Sequence, residues 1–193
     1  MKDDALLKTT SSLRDRLIAA LSTTFQNPYV FVGPLDDADS SGAHLILFLY
    51  RIAPNANLRN RERRVPSKNV PQVDVFQNSL PLDLYYLITV GTTPGSSEEA
   101  LLRALGLAMQ TLQINPELTG PGLDYETVRI SLEPLSTDDA SRIWALFPTA
   151  NYRTSVAYHV SPVWIDPPQP DPVAAPVISD QLYSGAKPVE VRP

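Results

Sequence analysis

Two stretches of the chain are apolar on both faces of an extended strand, and they constrain the fold more than any other feature. Residues 44–52 read HLILFLYRI and residues 82–90 read LDLYYLITV, so large apolar side chains occupy successive positions in both. Successive side chains of a strand point to opposite faces of its sheet, so each stretch needs apolar cover on two sides. Both stretches are therefore expected in the middle of a covered sheet.

Helical spacing of apolar residues predicts three helices that provide this cover. The first spans residues 3–25, where leucines recur along one stripe. The second begins at a capping box formed by Ser96 and Glu99, and the third begins at Ser136, just before an apolar run.

Three further strands are expected at residues 29–35, 127–135 and 154–165, and residues 53–81 read as a long polar connection. This order of elements predicts a single α+β domain over residues 1–166. Its sheet is expected to be mostly antiparallel, with four to five strands packed by about three helices.

Residues 167–193 are predicted to form an extended, proline-rich C-terminal arm. The last 28 residues hold seven of the 19 prolines and show no helical period. An arm of this length in polyproline II conformation reaches on the order of 80 Å. Two interpretations stay open, a solvated tail and a strand added to a partner's sheet. The apolar residues expected to contact a partner are Val173, Val177, Ile178, Val189 and Val191.

Composition excludes several classes of function. The 193-residue chain has no cysteine and only two histidines, which excludes a disulfide scaffold, thiol catalysis and a multi-histidine metal site. Its formal net charge of −5 argues against nucleic acid as a partner. No apolar run is long enough for a membrane helix and the amino end lacks a leader pattern, so a cytosolic protein without direct membrane contact is expected.

The patterns that resemble functional sites lack residues that such sites require. Asp37 and Asp39 match the first half of a calcium loop, but Phe48 stands where that loop needs a bidentate glutamate. Neither His44 nor His159 accompanies a nucleophile motif, and both are interpreted as packed or interfacial residues. The sequence therefore predicts no enzyme, no cofactor and no metal.

Positive charge is concentrated in residues 59–68, which hold five of the 16 basic residues and one acid, Glu62. A solvated loop and a docking loop for an acidic protein surface are both open. Nucleic-acid binding is the weaker alternative because no aromatic residue lies between the arginines to stack on bases. Arg51 on the preceding strand would add to such a docking surface. The basic residues predicted to contact a partner are Arg59, Arg61, Arg63, Arg64 and Lys68.

Five large aromatic residues are assigned to the core or its edge, because each lies in a regular apolar element. They are Tyr85, Tyr86, Trp144, Tyr158 and Trp164. Trp164 immediately precedes the arm and is expected to hold its root.

An ordered series of segments resembles a known family. LDLYYLITV and the stretch from Leu132 to Val163, which contains LxxLSxxDASRIWALF and YRTSVAYHVSPVWID, are its most specific parts. Over about residues 1–166 the chain resembles the amino-terminal domain of cap, or tail-terminator, proteins of extracellular contractile injection systems. These are phage-tail-like particles typified by the anti-feeding prophage and related virulence cassettes.

The resemblance implies a structural role in assembly. Proteins of this family resemble phage tail terminators, which form rings, usually hexamers, on the distal end of an inner tube and outer sheath. The partners implied are the tube protein, the sheath protein and further copies of the chain. Assembly in the cytoplasm and release with the particle are expected. The alternative is a monomeric adaptor that links the particle to a membrane or cargo component.

Overall fold

A curled sheet runs through the centre of the computed structural model, which describes residues 3–66, 73–93, 95–124 and 126–170. The helices are α1 (Ala5–Leu21), α2 (Glu98–Ile114) and α3 (Thr137–Trp144). In chain order, the strands are β1 (Val30–Val32), β2 (Leu45–Pro54), β3 (Arg63–Pro66), β4 (Val73–Phe76), β5 (Leu80–Val90), β6 (Glu117–Leu118), β7 (Val128–Glu133) and β8 (Ser155–Ile165).

The main sheet has six strands in the order β1-β2-β5-β8-β7-β6, and β3 pairs with β4 in a separate antiparallel hairpin. The α+β class and the three helices are confirmed. The sheet is mixed, because β1 runs parallel to β2, and it has more strands than expected. Part of the connection predicted for residues 53–81 forms β3 and β4. Each has only four residues, which is too short for a strand period to be recognised in the sequence.

Helices α1 and α2 cover the first face of the sheet. Leu13 and Leu17 of α1 and Leu105 of α2 pack in one cluster with Leu84 and Tyr86 of β5. This cluster contains most of the buried apolar residues, so it supplies most of the hydrophobic stabilisation.

Helix α3 and the turn after it cover one end of the second face. Trp144 and Phe147 pack there against Ile46 of β2, Leu87 of β5 and Ala157 of β8. Apolar cover on both sides of β2 and β5 confirms the prediction from their doubly apolar sequences.

Two local predictions are wrong. The N-cap of α2 is Ser97 rather than Ser96, and its hydroxyl accepts a hydrogen bond from the backbone N–H of Ala100 at 3.2 Å. Leu132, which alternation places in the core, is 55% exposed. The first-face cluster includes Val128 and Ile130 of β7 but ends before Leu132.

The five aromatic residues lie where they were predicted. Tyr86, Trp144 and Tyr158 are buried, while Tyr85 and Trp164 are half-buried at the edge of the core. The Tyr86 hydroxyl lies 2.8 Å from the hydroxyl of Thr10. Burial raises the pKa of Tyr86 to about 12, although this hydrogen bond acts in the opposite direction.

Candidate protein interface

The loop between β2 and β3, together with the start of β3, presents three arginines to solvent. Arg59, Arg61 and Arg64 are all exposed. The Nη2 atom of Arg64 lies 3.2 Å from a carboxylate oxygen of Glu62, and both of these side chains are more than half exposed. An ion pair this exposed contributes little to stability, so these charges remain available to a partner.

Arg63 differs from its neighbours, and its predicted docking role needs correction. Its side chain is 6% exposed and forms ion pairs with Glu126 and with Asp166, whose Oδ1 atom is 3.3 Å from Nη1. Its guanidinium also lies 5.0 Å from the ring centroid of Trp164. Asp166 also accepts a hydrogen bond from the Ser79 hydroxyl at 2.7 Å. Arg63 therefore joins the β3–β4 hairpin to the end of β8 inside the protein.

The remaining residues predicted to contact a partner lie outside the described residues. They are Lys68, Val173, Val177, Ile178, Val189 and Val191. Their contribution to an interface stays a prediction.

The second face of the sheet has a polar region that α3 leaves open. Its centre is a row of side chains on adjacent strands, here called the sheet-face array and consisting of Arg51, Tyr85, His159 and Asp83. In the sheet register Arg51 of β2 pairs with Tyr85 of β5, which pairs with His159 of β8. Side chains in register share one face, so three strands present these groups together.

Ring and cation contacts order the array. The Arg51 guanidinium carbon lies 4.9 Å from the ring centroid of Tyr85, and the Tyr85 and His159 centroids are 4.9 Å apart with a tilt of 31°. The Nε2 atom of His159 is buried and lies 3.4 Å from Oδ1 of Asp83. The histidine is thus both packed and partly exposed, at 27% of its side-chain surface.

Hydrogen bonds hold the carboxylate of Asp83 in place within the array. Its Oδ1 atom accepts from Nδ2 of Asn55 at 2.9 Å and from the hydroxyl of Ser161. Nδ2 of Asn55 also lies 3.2 Å from the Ser161 oxygen. Oδ1 of this carboxylate therefore already has partners within the chain.

An open cleft of about 290 Å³ separates the array from α3. Tyr50, Arg51, Glu133, Asp139 and Arg142 are among the residues that line it. Burial raises the pKa of Tyr50, and the charge of Glu133 adds to that effect. Charges of both signs line this cleft.

The described residues bring together no metal centre. No group of three or more histidine, aspartate and glutamate side chains within the described ranges is placed to hold a metal ion. The Asp37 carboxylate caps a short 3₁₀ turn by accepting from the Asp39 N–H at 2.9 Å. His44 packs edge-on against Phe25, with ring centroids 5.0 Å apart. No helix within the described ranges is long and apolar enough to cross a membrane.

The sequence indicates the basic loop and Arg51, but it does not indicate that Tyr85, His159 and Asp83 share one surface. The strand register brings them together, and register between distant strands cannot be read from the sequence. One signal was available: Asp83 is the single charged residue in the apolar strand LDLYYLITV. A charge in that position needs a partner or an open face.

Comparison with known proteins identifies the relatives of this fold. The profile of the Pvc16 N-terminal domain family matches residues 8–179. There is no significant match among curated protein sequences. The PVC sheath/tube terminator of an extracellular contractile injection system, in its extended state, is 18% identical with a TM-score of 0.61, and the alignment covers 96% of this chain. The tube-terminating cap of the anti-feeding prophage is 17% identical with a TM-score of 0.58 over 87% of this chain. The chain spans 65% and 59% of the lengths of these two proteins.

Proposed function

Because the chain belongs to the Pvc16 N-terminal domain family, we propose that it is a structural cap on the tube and sheath of a contractile injection particle. The observation that carries this proposal is the fold shared with a sheath/tube terminator over 96% of the chain. In this role the protein ends polymerisation of the tube and stabilises the extended sheath. Both structural neighbours are terminators. They favour this function over a monomeric adaptor.

The cap acts as a ring of identical copies, and we propose six. A ring needs a heterologous contact between copies, in which two different surfaces of the chain meet and the rotation closes. An open sheet edge is one surface of this kind. Strand β1 pairs with β2 only at Leu45, Ile46 and Leu47, and no described strand pairs with that side of β2 from Leu49 to Pro54.

The C-terminal arm, residues 167–193, is proposed to supply a strand to a neighbouring sheet. Strand β8 ends at Ile165, which pairs with Leu80 at the start of β5. Two residues further along β5, Leu82 pairs with Pro54, the last residue of β2. The arm therefore begins at the same end of the sheet as the unpaired stretch of β2, with β5 lying between β8 and β2. A shortened chain that ends at residue 170 should cap tubes less efficiently than the full chain while it unfolds at the same temperature.

The protein is proposed to have no catalytic activity and to assemble in the cytoplasm as a part of the particle. The described side chains support a binding role, since their exposed charged groups form a surface. The positively charged loop would dock on an acidic rim of the tube or sheath, and Arg59, Arg61 and Arg64 are its contact residues.

Imaging of particles tests the capping function. The tube, sheath and cap genes of one particle are expressed together, with and without the cap, and tube lengths are measured by negative-stain electron microscopy. Tubes of uniform length with the cap and irregular length without it are expected. Particles of equal length and stability in both samples would refute the proposed function.

A matched pair of charge reversals tests the loop. Arg59→Glu with Arg61→Glu changes the net charge by the same amount as Arg14→Glu with Arg103→Glu on α1 and α2, which pack on the opposite face of the sheet. The loop variant should cap poorly, and the helix variant should cap normally. If the loop variant also melts earlier, the loop is structural and the docking role is wrong.

A further inference from the structure

The sheet-face array lies between two covered regions of the second face. Helix α3 packs over Leu87 at one end, and Arg63 lies on Trp164 at the other. Val163 belongs to the first-face core, so alternation places Trp164 on the second face with the array. Between these covers, Arg51 is exposed and Tyr85 is half-buried. The open region is therefore bounded and does not extend over the whole face.

The two exposed arginines of this region form no ion pair with a described residue. Arg51 is exposed, stacks on Tyr85 and forms no ion pair with a described residue. Arg129 of β7 is likewise exposed without such an ion pair. It pairs in register with Ser161, beside the array. Strands β2 and β7 are three spacings apart, and Arg129 is two residues along β7 from Ser131, which lies opposite His159. The two arginines therefore flank the array at a distance of about 16 Å.

The array is ordered before any partner arrives. Stacking fixes Arg51 on Tyr85, and hydrogen bonds from Asn55 and Ser161 fix Asp83 under His159. A surface that is already ordered loses little side-chain entropy on binding. Tyrosine and arginine are also the residue types that most often dominate the energy of protein interfaces.

We infer that the sheet-face array binds a carboxylate-bearing surface of the tube protein. The inference rests on the proposed function, and the tube is chosen because both structural neighbours are described as terminators of a tube. A carboxylate of the partner pairs with Arg51 in the plane of its guanidinium, while the partner's backbone or an aromatic side chain lies on Tyr85 and His159. The exposed loop arginines Arg59 and Arg61 follow the end of the same strand at Pro54.

The chemistry of the region favours an acidic protein over other ligands. The array lies on the open face of a sheet, which suits a macromolecular surface more than an enclosed small molecule. The carboxylate of Asp83 would repel a phosphate backbone that crossed the array. A protein partner can place its carboxylates on the arginines and avoid Asp83.

The binding of purified tube protein to immobilised cap protein tests the inference. Arg51→Glu should weaken binding by about tenfold or more, because it replaces attraction with repulsion at an ordered contact. Arg103→Glu is the matched control: it changes the charge equally on an exposed position of α2, against the opposite face. Tyr85→Ala should weaken binding by about fivefold, and Tyr85→Phe, which keeps the ring, should change it by less than about twofold.

The outcomes separate this inference from the proposed function. If the wild-type protein neither binds nor caps the tube, the proposed function is wrong. If the wild type binds and Arg51→Glu binds as well as Arg103→Glu, the inference alone is overturned. Arg51→Gln keeps the size of the side chain and is used if the glutamate variant fails to fold. Double-stranded DNA serves as a second probe, and a loss of DNA binding equal to the loss of tube binding would also overturn the inference.

Discussion

Replacement of Arg63 by methionine should destabilise the fold strongly, because this side chain joins three parts of the chain. It reaches from β3 to Glu126 before β7 and to Trp164 and Asp166 at the end of β8. Methionine retains much of the apolar volume but removes the charge. Two carboxylates, 14% and 6% exposed, then lose their shared cation.

The expected cost follows from that burial. Removal of one partner from a buried ion pair typically costs about 3–5 kcal/mol, since the remaining charge stays desolvated without compensation. Loss of the cation–π contact with Trp164 adds about 1 kcal/mol. We therefore expect Arg63→Met to lower the free energy of unfolding by about 4 kcal/mol, the lower end of this sum, because Ser79 still donates a hydrogen bond to Asp166. With an m-value of about 2 kcal/mol/M, the urea midpoint falls by about 2 M.

Urea unfolding followed by far-ultraviolet circular dichroism measures this change. The neighbouring variant Arg64→Met is the control, because Arg64 is 70% exposed and pairs only with an exposed glutamate among the described residues. It should change the free energy of unfolding by less than about 1 kcal/mol. In an Asp166→Asn background, Arg63→Met should cost less, with a coupling of about 1–3 kcal/mol. Equal midpoints for the two methionine variants would refute the assignment of Arg63 to a structural ion cluster.

Three further predictions concern the core and its boundaries. Burial raises the pKa of Tyr86 to about 12, so the folded protein holds this proton more tightly than the unfolded chain does. The free energy of unfolding should fall by up to about 3 kcal/mol between pH 10 and 12, and Tyr86→Phe should remove that part of the pH dependence in denaturant titrations. Gly91→Ala should lower the free energy of unfolding in urea by about 3 kcal/mol or more, because a Cβ atom there would lie 1.9 Å from the carbonyl oxygen of Ala43. A decrease below about 1 kcal/mol would contradict this close backbone contact. Ser97→Ala should lower the free energy of unfolding, measured by thermal denaturation, by about 1 kcal/mol, and Ser96→Ala should lower it by less than about 0.5 kcal/mol. A larger effect of Ser96→Ala would contradict the assignment of Ser97 as the N-cap.

Much of the fold could be read from the sequence. The doubly apolar strands β2 and β5 predict cover on both faces, and the structure places helices on each. Helix α3 begins where its cap residue Ser136 predicts. The short strands β3, β4 and β6 were missed, because two to four residues carry too little periodicity to be recognised.

For the interface, the sequence by itself determined which charges exist and roughly where they fall along the chain. The sequence predicts the same role for Arg63 as for Arg59, Arg61 and Arg64, because nothing in this polar stretch distinguishes the four arginines. Only the tertiary structure separated them, by bringing Glu126 and Asp166 to Arg63 from positions 63 and 103 residues away. The same holds for the sheet-face array, whose members come from three strands. Burial and register depend on contacts between distant segments, and a local pattern of residues does not contain those contacts.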